Sequence, residues 1–347
     1  MKNLARQFSF VMLACGLATT ATTTARAQMG DPAKVTLKTV PVAGGVSMIE
    51  GENGFAGGNV GVSVGDDGVF IIDDQLAPMT AKLKAALAAL SKKPLRFLVN
   101  THWHADHTGN NTAMAAAGAV IIAHDNVRKR LSVDQFVDFM GHHIDVPATP
   151  PAGLPVVTFA EDVTLHLNGD EVHVFHVPPA HTDGDAVVHF KKANVVHMGD
   201  VFIPMSYPLV DAKNGGRFPG FIAAIDQVLT VCDDATKIIP GHGPLSTKAD
   251  LVTYREMLGK VSDRVAKLAA AKKSLDEIKT ARPSAEFDAK YGQTMVKGDQ
   301  VVEFIYTTLP PAEKPGKAGS KAGGGSKASD KPGDKAGDKA GDKKRGG

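Results

Sequence analysis

The chain has 347 residues, of which 43% are hydrophobic and 22% charged, and its formal net charge is +2. That is enough apolar material for a buried core, and it excludes a wholly disordered chain. The charge is uneven: residues 1–27 carry +3 (Lys2, Arg6, Arg26), residues 310–347 carry ten basic minus five acidic groups, or +5, and the part between is therefore near −6, which argues against a nucleic-acid partner.

Residues 1–27 place Lys2 and Arg6 before the apolar run Phe8 to Leu17, then Ala25-Arg26-Ala27, the small-x-small pattern that a signal peptidase accepts. The run is well short of the ~20 apolar residues that a bilayer-spanning helix needs. These residues predict a cleaved signal peptide, a mature chain starting near Gln28 without a transmembrane helix, and a periplasmic or secreted location. A lipid anchor at Cys15 is the weaker alternative, because Met12 stands where the attachment motif usually has leucine. After cleavage only Cys232 remains, so no intramolecular disulfide can form, and this thiol reads as a core residue.

Residues 28–309 read as one folded domain. Short β-runs come first, over Val35 to Val40, Val46 to Glu50, Asn59 to Val64 and Gly68 to Ile72, with Gly65-Asp66-Asp67-Gly68 as a hairpin turn. Met79, Leu83, Leu87 and Leu90 recur at helical spacing, Pro94 ends that helix, and the strand Phe97 to Val99 follows. A helix near Thr112 to Ala117, a strand Ala119 to Ala123 and a further helix from Asp125 to about Met140 come next. Beyond the Pro-rich loop Pro147 to Pro155, strands are predicted over Val156 to Phe159, Val163 to Leu167, Glu171 to Val177, Ala186 to Phe190 and Val195 to Met198. A helix over Phe221 to Val231, a strand over Lys237 to Ile239 and a long helix striped by Leu251, Tyr254, Leu258, Val261, Val265 and Leu268 complete the domain. A β-meander followed by helix and strand, twice over, suggests two β-rich halves packed face to face with helices outside. Residues 310–347, all Lys, Gly, Ala, Asp, Ser and Pro with single Glu and Arg residues, cannot bury enough surface to offset chain entropy and are predicted to be a disordered tail.

One stretch carries the chemistry: Asn100-Thr101-His102-Trp103-His104-Ala105-Asp106-His107. It leaves the apolar strand Phe97 to Val99 directly, so its side chains project from a rigid element. Three imidazoles and a carboxylate so close together are costly to bury unless a divalent cation joins them. His102 and His104 can converge on one ion from an extended segment, while Asp106 and His107 belong to the following turn and can reach another. Catalytic zinc takes three protein ligands and keeps a place for water, so each ion needs a further ligand. His181, His242 and Asp200 each follow an apolar β-run, at Pro179-Ala180-His181-Thr182, Pro240-Gly241-His242-Gly243 and Met198-Gly199-Asp200. Trp103, Phe202, Tyr207, Lys213 and Asn214 are candidates to line the pocket, with Trp103 at the cleft rim. Of the remaining histidines, His142 and His143 are the pair that could reach the mouth of the site.

The succession H-x-H-x-D-H, A-H-T, M-G-D and P-G-H-G over residues 100–243 resembles the metallo-beta-lactamase superfamily. The resemblance implies an α/β fold, a four-layer αββα sandwich. It also implies two zinc ions per chain, one held by His102, His104 and His181, the other by Asp106, His107 and His242, with Asp200 bridging them or completing the second site. Asp73 or Asp74 would steady a ligand histidine from behind. The implied activity is that of a beta-lactamase-like hydrolase of a small molecule, in which a metal-bound hydroxide, oriented by Asp106 and Asp200, attacks the carbonyl of a lactam, lactone, ester or thioester. Asp200 stands where the best-known class B beta-lactamases have cysteine, and the chain has Thr101-His102-Trp103-His104 where glyoxalase II has T-H-H-H. Two alternatives are a mononuclear iron persulfide dioxygenase of the same fold and a non-enzymatic zinc-binding protein. The sequence sets no oligomeric state.

Overall fold

A computed structural model describes residues 31–139 and 142–309. The predicted signal peptide, Cys15 and the predicted tail lie outside the described residues, as does the side chain of His142. Among the described residues no helix is long and apolar enough to cross a membrane.

The first half of the domain is built on β1 (Thr36–Ala43), β2 (Val46–Glu52), β3 (Val60–Gly65), β4 (Gly68–Ile72), β5 (Leu95–Val99) and β6 (Val120–His124). Helix α1 (Thr80–Leu90) crosses from β4 to β5, and α2 (Ala105–Thr108) and α3 (Asn111–Ala116) from β5 to β6. After α4 (Asp125–Leu131) the chain forms a separate hairpin, β7 (Gln135–Phe139) with β8 (His142–Val146), and returns to the sheet edge as β9 (Val157–Phe159). The seven-stranded sheet runs β1-β2-β3-β4-β5-β6-β9. The second sheet has six strands in chain order: β10 (Asp162–Leu167), β11 (Asp170–His176), β12 (Ala186–Phe190), β13 (Val195–His197), β14 (Lys237–Ile239) and β15 (Ser246–Thr247). Outside it lie α5 (Phe218–Leu229), α6 (Lys248–Ala270), α7 (Leu275–Ala281), α8 (Asp288–Tyr291) and α9 (Gly298–Thr308).

Strand alternation assigns the layers. In β4 all five residues are buried, because both faces are covered: Phe70 and Ile72 point into the core between the sheets, and Val69 and Ile71 point to the helix side under Leu83 and Leu87. The inter-sheet core is completed from the second sheet by Val172, Val174, Val188 and Phe190. The opposite face of that sheet, with Val187, Val196 and Ile238, packs under Phe221, Tyr254, Leu258 and Val301. Helix, sheet, sheet and helix are therefore stacked as four layers, the αββα sandwich that the strand pattern suggests. The long α6 starts at a capping box in which Thr247 and Asp250 satisfy each other's backbone N–H groups.

The structure corrects a helix boundary and the placement of the tryptophan. The helix expected from Asp125 to about Met140 stops at Leu131 with Arg128, Lys129 and Arg130 in its last turn, where cations complement the negative end of the helix dipole. Beyond it Gln135–Phe139 alternates in and out instead of following a helical period, and Val137 and Val146 pack under Trp103 and Leu131. Trp103 is 0% exposed and not at a cleft rim. The chain bends over Thr101 to Trp103, and the indole packs against Ala123, Val127 and Leu131, with its ring 4.7 Å from that of His104 between centroids.

Trp103 is the chain's single tryptophan, so its environment can be read by fluorescence. Its emission is expected to be blue-shifted in the native protein and to move red with a single urea transition. Trp103→Ala should lower unfolding stability by about 3–5 kcal/mol. Emission that is already red and quencher-accessible before unfolding would put the ring in the cleft.

Candidate metal centre

Parallel pairing of β4 with β5 sets Ile72 beside Val99, and parallel pairing of β13 with β14 sets His197 beside Ile239. The residues that follow these strand ends are therefore delivered to one edge of the sandwich: Asp73, Asn100 to His107, Asp200 and His242. The two sheets are laced together there. Asn59 N–H donates to the Gly241 carbonyl at 2.7 Å, the Asn59 side chain donates to the carbonyls of Pro240 and Gly243, and Ala186 N–H donates to the Thr101 carbonyl at 2.8 Å. Two glycines are required by close approach. A Cβ on Gly58 would overlap the His107 ring, and one on Gly241 would overlap the Asp200 carboxylate.

The side chains meet in two groups. Ligand-type atoms of His102, His104 and His181 lie within 4.8 Å of one another, and so do those of Asp106, His107 and His242. Asp200 reaches toward both: Oδ2 is 3.6 Å from His181 Nε2, and Oδ1 is 3.2 Å from His107 Nε2 and 3.4 Å from His242 Nε2. A third grouping, Asp73 with His102 and His107, is equally compact, but Asp73 is otherwise engaged. One of its oxygens accepts from Thr101 N–H at 2.7 Å, and the other accepts from the Thr101 hydroxyl and from His107 Nδ1, each at 2.7 Å. Asp73 holds this position at φ 61°, a left-handed conformation costly for a residue with a side chain.

Four imidazoles are tied back through one nitrogen, which leaves the other to face the centre. His107 Nδ1 donates to Asp73, and His181 Nδ1 donates to the Leu209 carbonyl at 2.7 Å. His104 Nε2 donates to Asp211 at 2.9 Å. The Thr101 hydroxyl, having given its proton to Asp73, accepts from His102 Nδ1 at 3.0 Å. With both rings neutral, the inward nitrogens of His104 and His181 each carry a lone pair, and they face each other at 2.8 Å. His102 Nε2 and Asp200 Oδ1 are buried without a hydrogen-bond partner. Converging lone pairs and orphaned acceptors are what a cation satisfies, so this donor set fits a bound metal.

Charge divides the two groups. Burial, then the neighbouring imidazoles, push the His102 pKa well below its ordinary value, and burial with His104 takes His181 down to about 4. These rings stay neutral, the form that ligates. Burial pulls the same way on His107 and His242, yet the Asp200 and Asp106 carboxylates outweigh it, raising His107 well up and His242 to about 9. Burial would raise both carboxylates, but the cationic rings hold them below the usual range. In the metal-free chain, protons on these rings supply the positive charge that two adjoining carboxylates demand.

The remaining sequence candidates separate. Of Asp73 and Asp74, it is Asp73 that touches a histidine; Asp74 instead accepts from Asn110 N–H at 2.9 Å. Tyr207 is in the core, its hydroxyl donating to Asp288 at 2.9 Å, and Phe202 packs edge-on to Tyr254. The stretch after Asp200 dives beneath the C-terminal helices, so neither aromatic lines a cleft. Asn214 is buried behind His104, where its amide donates to Asp211 at 2.8 Å. Lys213 is exposed, and His143 pairs with Asp138 on the surface of the hairpin. Sequence reasoning missed Asp211, whose neighbourhood has no histidine to draw attention, and Phe55, which stacks on His242 with ring centroids 5.5 Å apart.

The model of the metallo-beta-lactamase superfamily matches residues 53–246, more than half of the chain. The alpha subunit of a 2,4-dinitroanisole O-demethylase from Nocardioides sp. (strain JS1661) is 27% identical over 152 residues, which is 42% of this chain and 42% of that protein. The chain thus matches less than half of that relative's length. Among solved structures, a metallo-beta-lactamase from Pontibacter korlensis superposes with a TM-score of 0.51 at 18% identity, over 65% of this chain and 99% of the other. The stereoselective inverting sec-alkylsulfatase Pisa1 from Pseudomonas sp. gives 0.58 at 17% identity, over 78% and 50%. The FIM-1 metallo-beta-lactamase from Pseudomonas aeruginosa in its mono-zinc form gives 0.50 at 21% identity, over 65% and 96%. At these identities the likeness is one of fold.

Because Asp73 accepts three buried hydrogen bonds, Asp73→Ala strands Thr101 and His107 together. Its expected cost is about 3–5 kcal/mol in urea unfolding of the metal-free chain. A loss below about 1 kcal/mol would show that these bonds are not what holds the edge.

Proposed function

This chain belongs to the metallo-beta-lactamase superfamily, and on that footing we propose that it is an exported di-zinc hydrolase acting on the carbonyl of a small molecule. The observation that carries this reading is the pair of inward lone pairs on His104 and His181, with His102 Nε2 and Asp200 Oδ1 unpartnered beside them. His102, His104 and His181 would hold one ion, Asp106, His107 and His242 the other, and Asp200 is within reach of both groups. When bound, such ions supply a water acidified toward neutrality and a Lewis acid for the carbonyl oxygen.

The protein's own groups do the rest. Asp106 is the most exposed carboxylate of the centre, at 22% of its side chain, so it can orient an incoming water. Asp200, at 4%, is positioned to accept a hydrogen bond on the inner side. The buried walls exclude bulk water, which strengthens every interaction with charge that develops on the substrate. No serine or cysteine nucleophile is invoked: Cys232 sits in the helical core, where burial raises its pKa. Residues 1–27 supply the export signal in this reading, so N-terminal sequencing of the secreted protein should find a start near Gln28.

The reading is tested by a hydrolysis panel on zinc-loaded protein. The panel comprises nitrocefin, lactones, thioesters and phosphodiesters, with 2,4-dinitroanisole added because the O-demethylase relative is named for it. Metal analysis should give two zinc ions per chain, and turnover of at least one carbonyl substrate should fall to background after chelation and in His102→Ala. A single bound iron would favour the dioxygenase alternative, and metal binding without turnover the non-enzymatic one.

A further inference from the structure

The segment from Leu209 to Arg217 backs the first histidine group, and nothing in its sequence advertises this. Leu209 offers its carbonyl to His181 Nδ1 at 2.7 Å. Asp211 then makes two contacts of different kinds: its backbone N–H donates to the His181 carbonyl at 2.9 Å, and its carboxylate accepts from His104 Nε2 at 2.9 Å. One residue thereby fixes two of the three histidines of that group, which come from segments 77 positions apart. It touches no member of the Asp106, His107 and His242 group among its hydrogen-bond partners.

Asp211 is itself clamped. It is 6% exposed, and the oxygen that accepts from His104 also accepts from the Asn214 amide at 2.8 Å, while its other oxygen accepts from Asn214 N–H at 3.3 Å. Asn214 gives its carbonyl oxygen to Arg130 at 2.9 Å, and the same guanidinium forks onto Asp183. The Asn214 amide also donates to the Phe136 carbonyl of the β7–β8 hairpin at 2.9 Å. A carboxylate with so many fixed partners cannot swing away, so it holds the His104 ring in the tautomer and orientation that present Nδ1 inward.

We infer that Asp211 is the positioning residue of the His102, His104 and His181 pocket, setting the metal affinity of that pocket alone. This rests on the two-metal reading above. His107 of the second pocket is backed by Asp73, which also reaches His102 through Thr101, while His104 and His181 of the first are backed by Asp211.

The test is zinc binding by the full chain in competition with a chromophoric chelator, which resolves two successive affinities. In Asp211→Ala one affinity should weaken by about 10–100-fold while the other changes less than about twofold. Asp211→Asn keeps an oxygen that can accept from His104 and should recover most of the loss. The downfield imidazole N–H resonance of His104 should be present in the parent and in Asp211→Asn, and absent in Asp211→Ala. Should Asp211→Ala fail to fold, Asn214→Ala, which leaves the carboxylate but loosens it, should show a smaller loss confined to the same affinity. Equal weakening of both affinities, or no change in either, would overturn the inference and leave the proposed function standing. A parent protein that binds no zinc would remove both.

Discussion

The whole histidine-bearing edge depends on one constraint: an imidazole buried among other imidazoles must have its outward nitrogen occupied, so that the ring is held with its other nitrogen facing the centre. The structure meets this four times with four different partners: a carboxylate for His107, a hydroxyl for His102, a second carboxylate for His104 and a main-chain carbonyl for His181. Each partner fixes a ring's orientation, and the neutral His102 and His181 rings turn lone pairs inward while His107 turns an N–H toward Asp200. Asp73 lies deepest in this scheme, because it governs His107 directly and His102 through Thr101.

Such a cluster is unfavourable in isolation, and the rest of the fold is arranged to withstand it. Parallel strand pairs end at matched positions, so the donors leave rigid β-structure and not free loops. Asn59 stitches the first sheet to the turn carrying His242, and Gly58 and Gly241 let backbone lie directly against a ligand-type side chain. The positive φ of Asp73 belongs to the same economy of shape, local strain being tolerated where several hydrogen bonds over-determine a position.

The two metal-type groups differ in character. In the histidine-only group burial keeps His102 and His181 neutral and the Leu209 to Arg217 segment ties back His104 and His181, while the group with Asp106 is charged and opens partly to solvent. Asp200 stands between them, with one oxygen toward each.

The sequence by itself determined the features that depend on local pattern. The layered α/β order follows from runs such as Gly68 to Ile72 and the stripe from Leu251 to Leu268. The cluster from His102 to His107 declares itself because its residues are neighbours in the chain, and His181, Asp200 and His242 are recognisable because each follows an apolar strand. Tertiary structure alone decided what stands behind those side chains. Asp211 touches His104 across 107 positions, and Asp73 touches His107 across 34, contacts that no local period encodes. It also decided which way Trp103 and Tyr207 point, since an aromatic ring serves a cleft or a core equally well until the packing of neighbouring layers leaves it one place to go.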